Sequence, residues 1–313
     1  GFETFLVNFV TPNKRIHWLY LISSLLLAIY VYWRLKRKKP SLLKYLFNKK
    51  VWLSKSARID YFFIVFNSYI KVLLIAPYLI LGLYMGAYIT DYLSETYDWQ
   101  RFNLSQTEVL VYYTVSLTLM TDFFAFFFHW LMHKIPFLWE FHKIHHSATV
   151  LNPITQYRIH PVELLIVNAR NIAIFGFLLG VFDYLSQAQI QTYQFLGANV
   201  LSFIFLFWGS NLRHSHVQLK YFNFLEYIFI SPFQHQIHHS NKPEHFNKNM
   251  GAKLAIWDWM FGTLVRSKEA KIRYFGLGTK DDQNYTSFWK NLYMPFKNIF
   301  LQIKRIFSQT SID

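Results

Sequence analysis

The sequence predicts an all-α protein: a polytopic transmembrane helical bundle capped by a cytoplasmic, helical, histidine-rich region. Three observations carry this. Hydrophobic residues make up 53% of the 313 residues and aromatic residues 20%, against roughly 45–50% apolar content in soluble domains. Mean hydropathy is only +0.16, so the apolar residues must gather into segments with polar stretches between them. Of 13 histidines, 12 fall between 129 and 245, many at helical spacing.

A membrane span needs about 20 mostly apolar residues. The first candidate is 17–33 and the second 72–90, preceded by an amphipathic stretch from Tyr61 to Lys71. A third runs 107–128 into the histidines, and two more, 162–182 and 192–210, are joined by a short loop without Lys or Arg. The opening GFETFLVNFV lacks a basic n-region and a small-residue cleavage site, so no signal peptide is expected there.

Orientation follows from the loops. Residues 34–50 carry Arg34, Lys36, Arg37, Lys38, Lys39, Lys44, Lys49 and Lys50, which predicts a cytoplasmic loop. The stretch near 91–108 carries Asp91, Glu95, Asp98 and Glu108 against Arg101, and is expected outside. Crossing back through 107–128 brings His129 to the cytoplasmic face, and the 162–210 hairpin leaves and returns. Every histidine cluster is then expected on one side, at one depth. Three regions follow: an N-terminal membrane region 1–106, a region 107–265 with the remaining spans and the histidine clusters, and a basic cytoplasmic tail 266–313. The net charge of +15 sits beside apolar runs, a membrane pattern rather than a nucleic-acid one.

The chain has no cysteine, which excludes disulfides, thiolate metal sites and Cys nucleophiles. Any metal must be held by His, carboxylate or amide groups. Three clusters offer them: His129 with His133, His142 with His145 and His146, and His235 with His238 and His239. Residues three or four apart share a helix face, so each cluster can present two or three imidazoles to one region. Packed without metal, so many imidazoles would leave buried nitrogens unpaired at about 1–3 kcal/mol each. Imidazole suits Zn, Cu, Fe and Ni; a structural zinc is satisfied by four ligands, so eight or nine imidazoles imply two ions. An open-sided, all-nitrogen site fits iron–oxygen chemistry better than a closed structural zinc. The helix through 107–133 is about 40 Å long, which carries His129 and His133 to the membrane surface, within reach of an acyl or isoprenoid chain.

The run from Asp122 to Glu163, the His214 segment and the stretch from Pro232 to Thr263 resemble the fatty acid hydroxylase and sterol desaturase superfamily. The family shows HxxxH, HxxHH and a distal HxxHH, with one further histidine between. Accessory pieces also match: Leu138-Trp139, Ser147, Arg158-Ile-His160-Pro161, Asn249-Met250-Gly251 and Trp257-Asp258-Trp259-Met260-Phe261-Gly262-Thr263. The resemblance implies nine ligands: His129, His133, His142, His145, His146, His214, His235, His238 and His239. It departs at Trp130, where many members have Arg, at His216, where Asn is common, and at Met250, usually aromatic. His216 is a candidate tenth ligand.

Asp122, seven residues before His129, is expected to hydrogen-bond a ligand imidazole on another helix and so fix its tautomer; the alternative is a packing Asp paired with a hydroxyl. Asp258 is a candidate for the same role or for a helix cap. Asn249 is expected near the metals or on a bridging water, and His160, before Pro161, as a cap or ligand support. His17 and His245 are expected to be structural.

What the resemblance implies is a membrane-bound enzyme with two Fe ions that uses O2 to hydroxylate a fatty acyl, alkyl, sterol or isoprenoid chain, in a bacterial inner membrane or endoplasmic reticulum with its site facing the cytoplasm. Desaturation at the same centre is the alternative, and a non-catalytic metal-binding or transport protein a more distant one. A zinc hydrolase is disfavoured because HExxH is absent. No nucleotide fingerprint such as GxGxxG appears, so electrons are expected from an external donor. The basic face suits an acidic redox partner, a ferredoxin, cytochrome or reductase.

Overall fold

The computed structural model describes residues 10–12, 14–35, 40–97, 104–186, 190–192, 194–195 and 198–310. Lys36, Arg37, Lys38 and Lys39, the stretch before Val10, Asp98 and Arg101 lie outside these residues. The chain is all-α: among the described residues the only strands are a two-residue pair, β1 (Gln194–Phe195) and β2 (Ala198–Asn199). Among the described residues, three helical stretches are long and apolar enough to cross a membrane: Lys55–Thr96, Gln106–Lys134 and Pro161–Leu185, of 42, 29 and 25 residues. They contain the expected spans 72–90, 107–128 and 162–182.

The helices before and within the first stretch are α1 (Trp18–Arg34), α2 (Leu42–Leu46), α3 (Lys49–Trp52), α4 (Lys55–Ile70) and α5 (Ile80–Thr96). Between α4 and α5 the helix widens to a π-turn over Lys71–Ile75 and tightens to a 3-10 turn over Ala76–Tyr78. Pro77 accounts for this, because it lacks an N–H and its ring crowds the preceding turn. Helices α6 (Gln106–Lys134) and α7 (Pro136–His146) are separated by Ile135, which is extended (φ −93°, ψ 116°) as the residue before a proline must be.

Of the other two expected spans, the first is helical over its expected length and the second is not. Segment 17–33 is α1, an apolar helix of 17 residues. Segment 192–210 holds the β1–β2 pair and α9 (Val200–Phe207), a helix of eight residues, which is about 12 Å long and too short to span. Local stops explain it. The Asn199 side chain accepts from Leu201 N and Ser202 N and so caps the start. Gly209 follows the other end with φ of 87°, the left-handed stop that glycine permits.

The chain divides into two compact units. One comprises the described residues up to Leu26 with Ile70–Ala125 and Leu165–Asn211. In it α5 and α8 (Pro161–Leu185) approach closely through Gly82, Gly86, Gly176 and Gly180. A Cβ at Gly180 would stand 2.5 Å from Gly86 O, and one at Gly176 2.7 Å from Gly82 O. Small residues four apart let membrane helices touch backbone to backbone. Tyr113, Ile174, Leu178 and Phe182 form the apolar packing of α6 against α8.

The second unit comprises Leu27–Tyr69, Phe126–Leu164 and the described residues from Leu212 onward. It holds α7, α10 (Pro232–His238), α11 (Ile256–Met260), α12 (Thr279–Asp282) and α13 (Phe288–Thr310). All nine candidate ligands belong to it. One apolar cluster joins Ile59, Phe63, Ile144, Tyr285 and Met294; another joins Phe233, Ile237 and Ala270.

Candidate metal centre

Each histidine is aimed by a local device. Pro136 at the start of α7 turns the chain back after His129 and His133, so α7 returns His142, His145 and His146 toward them. Helix α10 opens with a full capping box between Ser231 and Gln234. Glu226 buttresses that cap, accepting from Ser231 Oγ at 2.8 Å and Ser267 N at 2.8 Å. Gln236 donates to Leu212 O and Val217 O at 3.0 and 2.8 Å, tying α10 to the loop that carries His214.

The nine imidazoles converge in two groups. One contains His129, His133, His142, His146 and His238; the other His145, His214, His235 and His239. Within each group the ligand atoms lie within 4.8 Å of one another. The groups adjoin, with the rings of His146 and His239 stacked 4.6 Å apart. Each HxxHH cluster is divided between them. His142 and His146 go to the first group and His145 to the second, whereas His235 and His239 go to the second and His238 to the first. Both (i, i+4) pairs therefore stay together, and the third histidine crosses over.

The donor set fits metal. His214 Nε2 lies 3.1 Å from His145 Nε2, 3.0 Å from His239 Nε2 and 3.0 Å from His235 Nε2. One imidazole nitrogen donates or accepts once, so three such neighbours cannot all be its hydrogen-bond partners. Nitrogens bound at about 2.0–2.1 Å to a single ion stand about 3 Å apart. His133 Nε2, His146 Nε2 and His238 Nε2 are buried with no hydrogen-bond partner among the described residues, a costly state unless a cation takes their lone pairs. Burial pushes the imidazoles of His145, His146, His235, His238 and His239 well below their ordinary value of 6.5, so they are neutral at neutral pH, as ligands must be.

The opposite ring nitrogens of four of the nine are anchored. His142 Nδ1 lies 2.9 Å from Glu163 Oε1, His129 Nδ1 2.7 Å from Met250 O, His238 Nδ1 2.8 Å from Lys248 O and His145 Nδ1 3.2 Å from Arg158 O. An Nδ1–H donated to oxygen leaves Nε2 free to ligate.

Behind these anchors stand Asp258, Asn249 and Asp60. Asp258 accepts from Met250 N and Gly251 N at 2.7 Å each and from Thr263 Oγ1 at 2.5 Å, which sets the turn that presents Met250 O to His129. A Cβ at Gly251 would meet Leu254 O at 2.5 Å, so only glycine fits that turn. Asn249 adopts φ of 53°. Its amide donates to Gln234 O and Val265 O and accepts from Val265 N, so it clamps the loop to α10 and its polar atoms are spent on backbone. Asp60 accepts from Arg158 Nε at 2.6 Å, Asn152 Nδ2 at 2.8 Å and Thr155 Oγ1 at 2.7 Å. Asn67 donates to Tyr157 O and Ile159 O, holding the carbonyls on either side of the one that faces His145.

The remaining histidines stay outside both groups. His160 Nδ1 accepts from Val162 N and its Nε2 donates to Leu292 O, 3.1 Å each, a cap on α8. His216 Nε2 donates to Tyr45 O at 2.7 Å, with its ring on Tyr45. His245 and His17 are buried. Asp122, also buried, lies in the first unit, where its charge bears on Arg170 of α8. Sequence reasoning did not single out Glu163 as a partner of His142. Its signal was an acid in the first turn of a helix opened by His160-Pro161.

Fold and site together define a class: an all-helical membrane protein with a buried, paired, all-imidazole centre able to hold metal. Residues 114–263, just under half of the chain, match the family described as Fatty acid hydroxylase, which places that segment in the fatty acid hydroxylase and sterol desaturase superfamily. It is 33% identical over 145 residues to ornithine lipid hydroxylase OlsE of Rhizobium tropici, covering 46% of this chain and 39% of that protein. It is 26% identical over 193 residues to alkylglycerol monooxygenase of Xenopus tropicalis, covering 61% and 38%. Methylsterol monooxygenase 1 of Rattus norvegicus is 25% identical over 209 residues, covering 65% and 62%. The chain thus spans well under half the length of the first two relatives. No solved structure matches it.

Proposed function

We propose that the chain is a membrane-bound, O2-dependent lipid hydroxylase that holds two iron ions in its paired histidine groups, with an external electron donor. The observation that carries this is the division of nine imidazoles into adjoining groups of five and four, with no carboxylate or thiolate in either. The relatives' names supply the substrate class, since ornithine lipid, alkylglycerol and methylsterol are all lipids. When bound, the iron pair would supply oxygen activation and attack on an unactivated C–H bond. Orientation and protonation are the work of this chain's residues. Glu163, Met250 O, Lys248 O and Arg158 O hold protons on the Nδ1 atoms of four ligands and aim their Nε2 atoms inward. Asp258, Asn249 and the Asp60–Arg158 pair hold those acceptors in place. His129 and His133 are only partly buried, whereas the four histidines of the second group are buried, which supports substrate access from the side of the first group. The basic 34–50 loop supports a cytoplasmic site, with a basic face that would dock an acidic redox protein.

The test is a comparison of lipid extracts from cells with and without the gene, alongside metal analysis of protein purified anaerobically with iron. A lipid heavier by one oxygen and about two metals per chain are expected, with loss of at least one metal in His142→Ala and in His238→Ala. A product lighter by two hydrogens would overturn hydroxylation in favour of desaturation. One metal or none in the wild type would overturn the paired centre.

A further inference from the structure

Helix α13 is amphipathic in an unusual sense: its exposed face is the apolar one. Trp289, Tyr293, Phe296, Phe300, Ile303 and Phe307 are all exposed, from 40% at Ile303 to 73% at Trp289. Their spacing of four, three, four, three and four residues stacks them in one stripe about 80° wide on a helix of 3.6 residues per turn. Along one flank of the stripe Lys290, Lys297 and Lys304 recur every seven residues, and the helix contains no Asp or Glu. The opposite face is already taken. Asn291 is fully buried beside Ser147, Asn298 donates to Glu140 Oε2 at 2.7 Å, and Gln302 donates to Glu140 Oε1 at 3.1 Å. The aromatic stripe points away from that docked face, and although the Phe296 ring also meets Phe141 and His160 at 5.5 Å each, all six side chains remain exposed.

The anchors of α13 say at what level it sits. The Phe288 ring packs against Phe62, Phe63 and Phe66 at 5.9, 5.0 and 5.3 Å, near the start of the apolar stretch Lys55–Thr96. Leu292 O accepts from His160, the residue immediately before the stretch Pro161–Leu185. Glu140 lies in α7, which begins two residues after Gln106–Lys134 ends. All three candidate spans thus begin or end close to this helix. A helix with a Trp/Phe/Ile face, a lysine flank and no acids, fixed at the ends of membrane spans, has the composition of an in-plane interfacial helix.

We propose that α13 is an interfacial anchor, its aromatic stripe sunk at the acyl–headgroup boundary of the protein's own bilayer and its lysine column bound to anionic lipid headgroups. This stands apart from the metal chemistry and needs only that the chain be a membrane protein. Each lysine near an anionic surface contributes about 1 kcal/mol, or roughly fivefold in headgroup preference.

The chain has no native cysteine, so single-cysteine spin labels can be placed in the full-length protein without background. In nanodiscs containing phosphatidylglycerol, labels at Tyr293→Cys, Phe300→Cys and Phe307→Cys should be accessible to oxygen and shielded from a water-soluble nickel chelate. Labels at Lys297→Cys and Lys304→Cys should lie at the boundary. Nickel access along the stripe would overturn the proposal, and so would labels shielded from both agents, which would mean that a second copy or a partner protein covers it. Spin-labelled phosphatidylglycerol should be enriched severalfold over phosphatidylcholine at the wild-type protein. The triple variant K290Q/K297Q/K304Q, altered only on the flank outside the buried face, should lose most of that enrichment. Unchanged enrichment would overturn the anionic-headgroup assignment.

Discussion

Replacing Glu163 separates the two halves of the proposed centre. Its Oε1 is 2.9 Å from His142 Nδ1, with side-chain exposures of 8% and 5%, so water cannot take over the contact. In Glu163→Ala the His142 Nδ1–H is buried without its acceptor, at about 1–3 kcal/mol. Losing the group that orients a ligand imidazole typically costs about 10–100-fold in metal affinity, or about 1.4–2.7 kcal/mol. The two estimates agree, and only the five-histidine group contains His142. The assay is chelator competition on cobalt- or iron-loaded protein, followed by metal counts per chain. One of two metals should be released about 10–100-fold more readily, with the other unchanged. Glu163→Gln should fall between, because its amide oxygen still accepts from Nδ1–H but carries no charge. Equal weakening of both metals, or a competition curve like that of the wild type, would refute the assignment of Glu163 to one group.

Two further outcomes are expected. Asp60→Ala leaves the Arg158 guanidinium, 1% exposed, without its carboxylate. A broken buried pair costs about 3–5 kcal/mol, so thermal unfolding in detergent should shift down sharply, and replacing both residues by apolar ones should restore part of the loss. His214→Ala should remove a metal while His216→Ala keeps two, since the His216 ring is turned onto Tyr45; metal loss in His216→Ala with retention in His214→Ala would reverse that assignment.

The all-α class, the three long apolar helices and eight of the nine histidines that converge were legible in the sequence because each rests on local information, whereas His214 was implied only by the family resemblance. Residues three or four apart share a helix face wherever that helix goes, and an apolar run of sufficient length is apolar in any tertiary setting. The segment 192–210 shows where local reading fails. Hydropathy registers its apolar residues but not the Asn199 cap or the left-handed Gly209 that confine the helix to eight residues. The lysines of the C-terminal region were legible as a basic tail; that they flank an exposed aromatic stripe depends on which face of α13 the domain had already buried.

Only the tertiary structure decided how the nine histidines divide. In an HxxHH cluster the (i, i+3) and (i, i+4) positions lie on nearly the same face. Which of them joins which group is set by the elements opposite, and those arrive from 69 to 121 residues away in sequence in the contacts of His145 with His214 and of His129 with His238 and Met250. The acceptors that orient the ligands were invisible for a related reason. Met250 O, Lys248 O and Arg158 O are backbone carbonyls, a group every residue carries, so nothing in the letters distinguishes the three that the fold brings within hydrogen-bond distance of an imidazole.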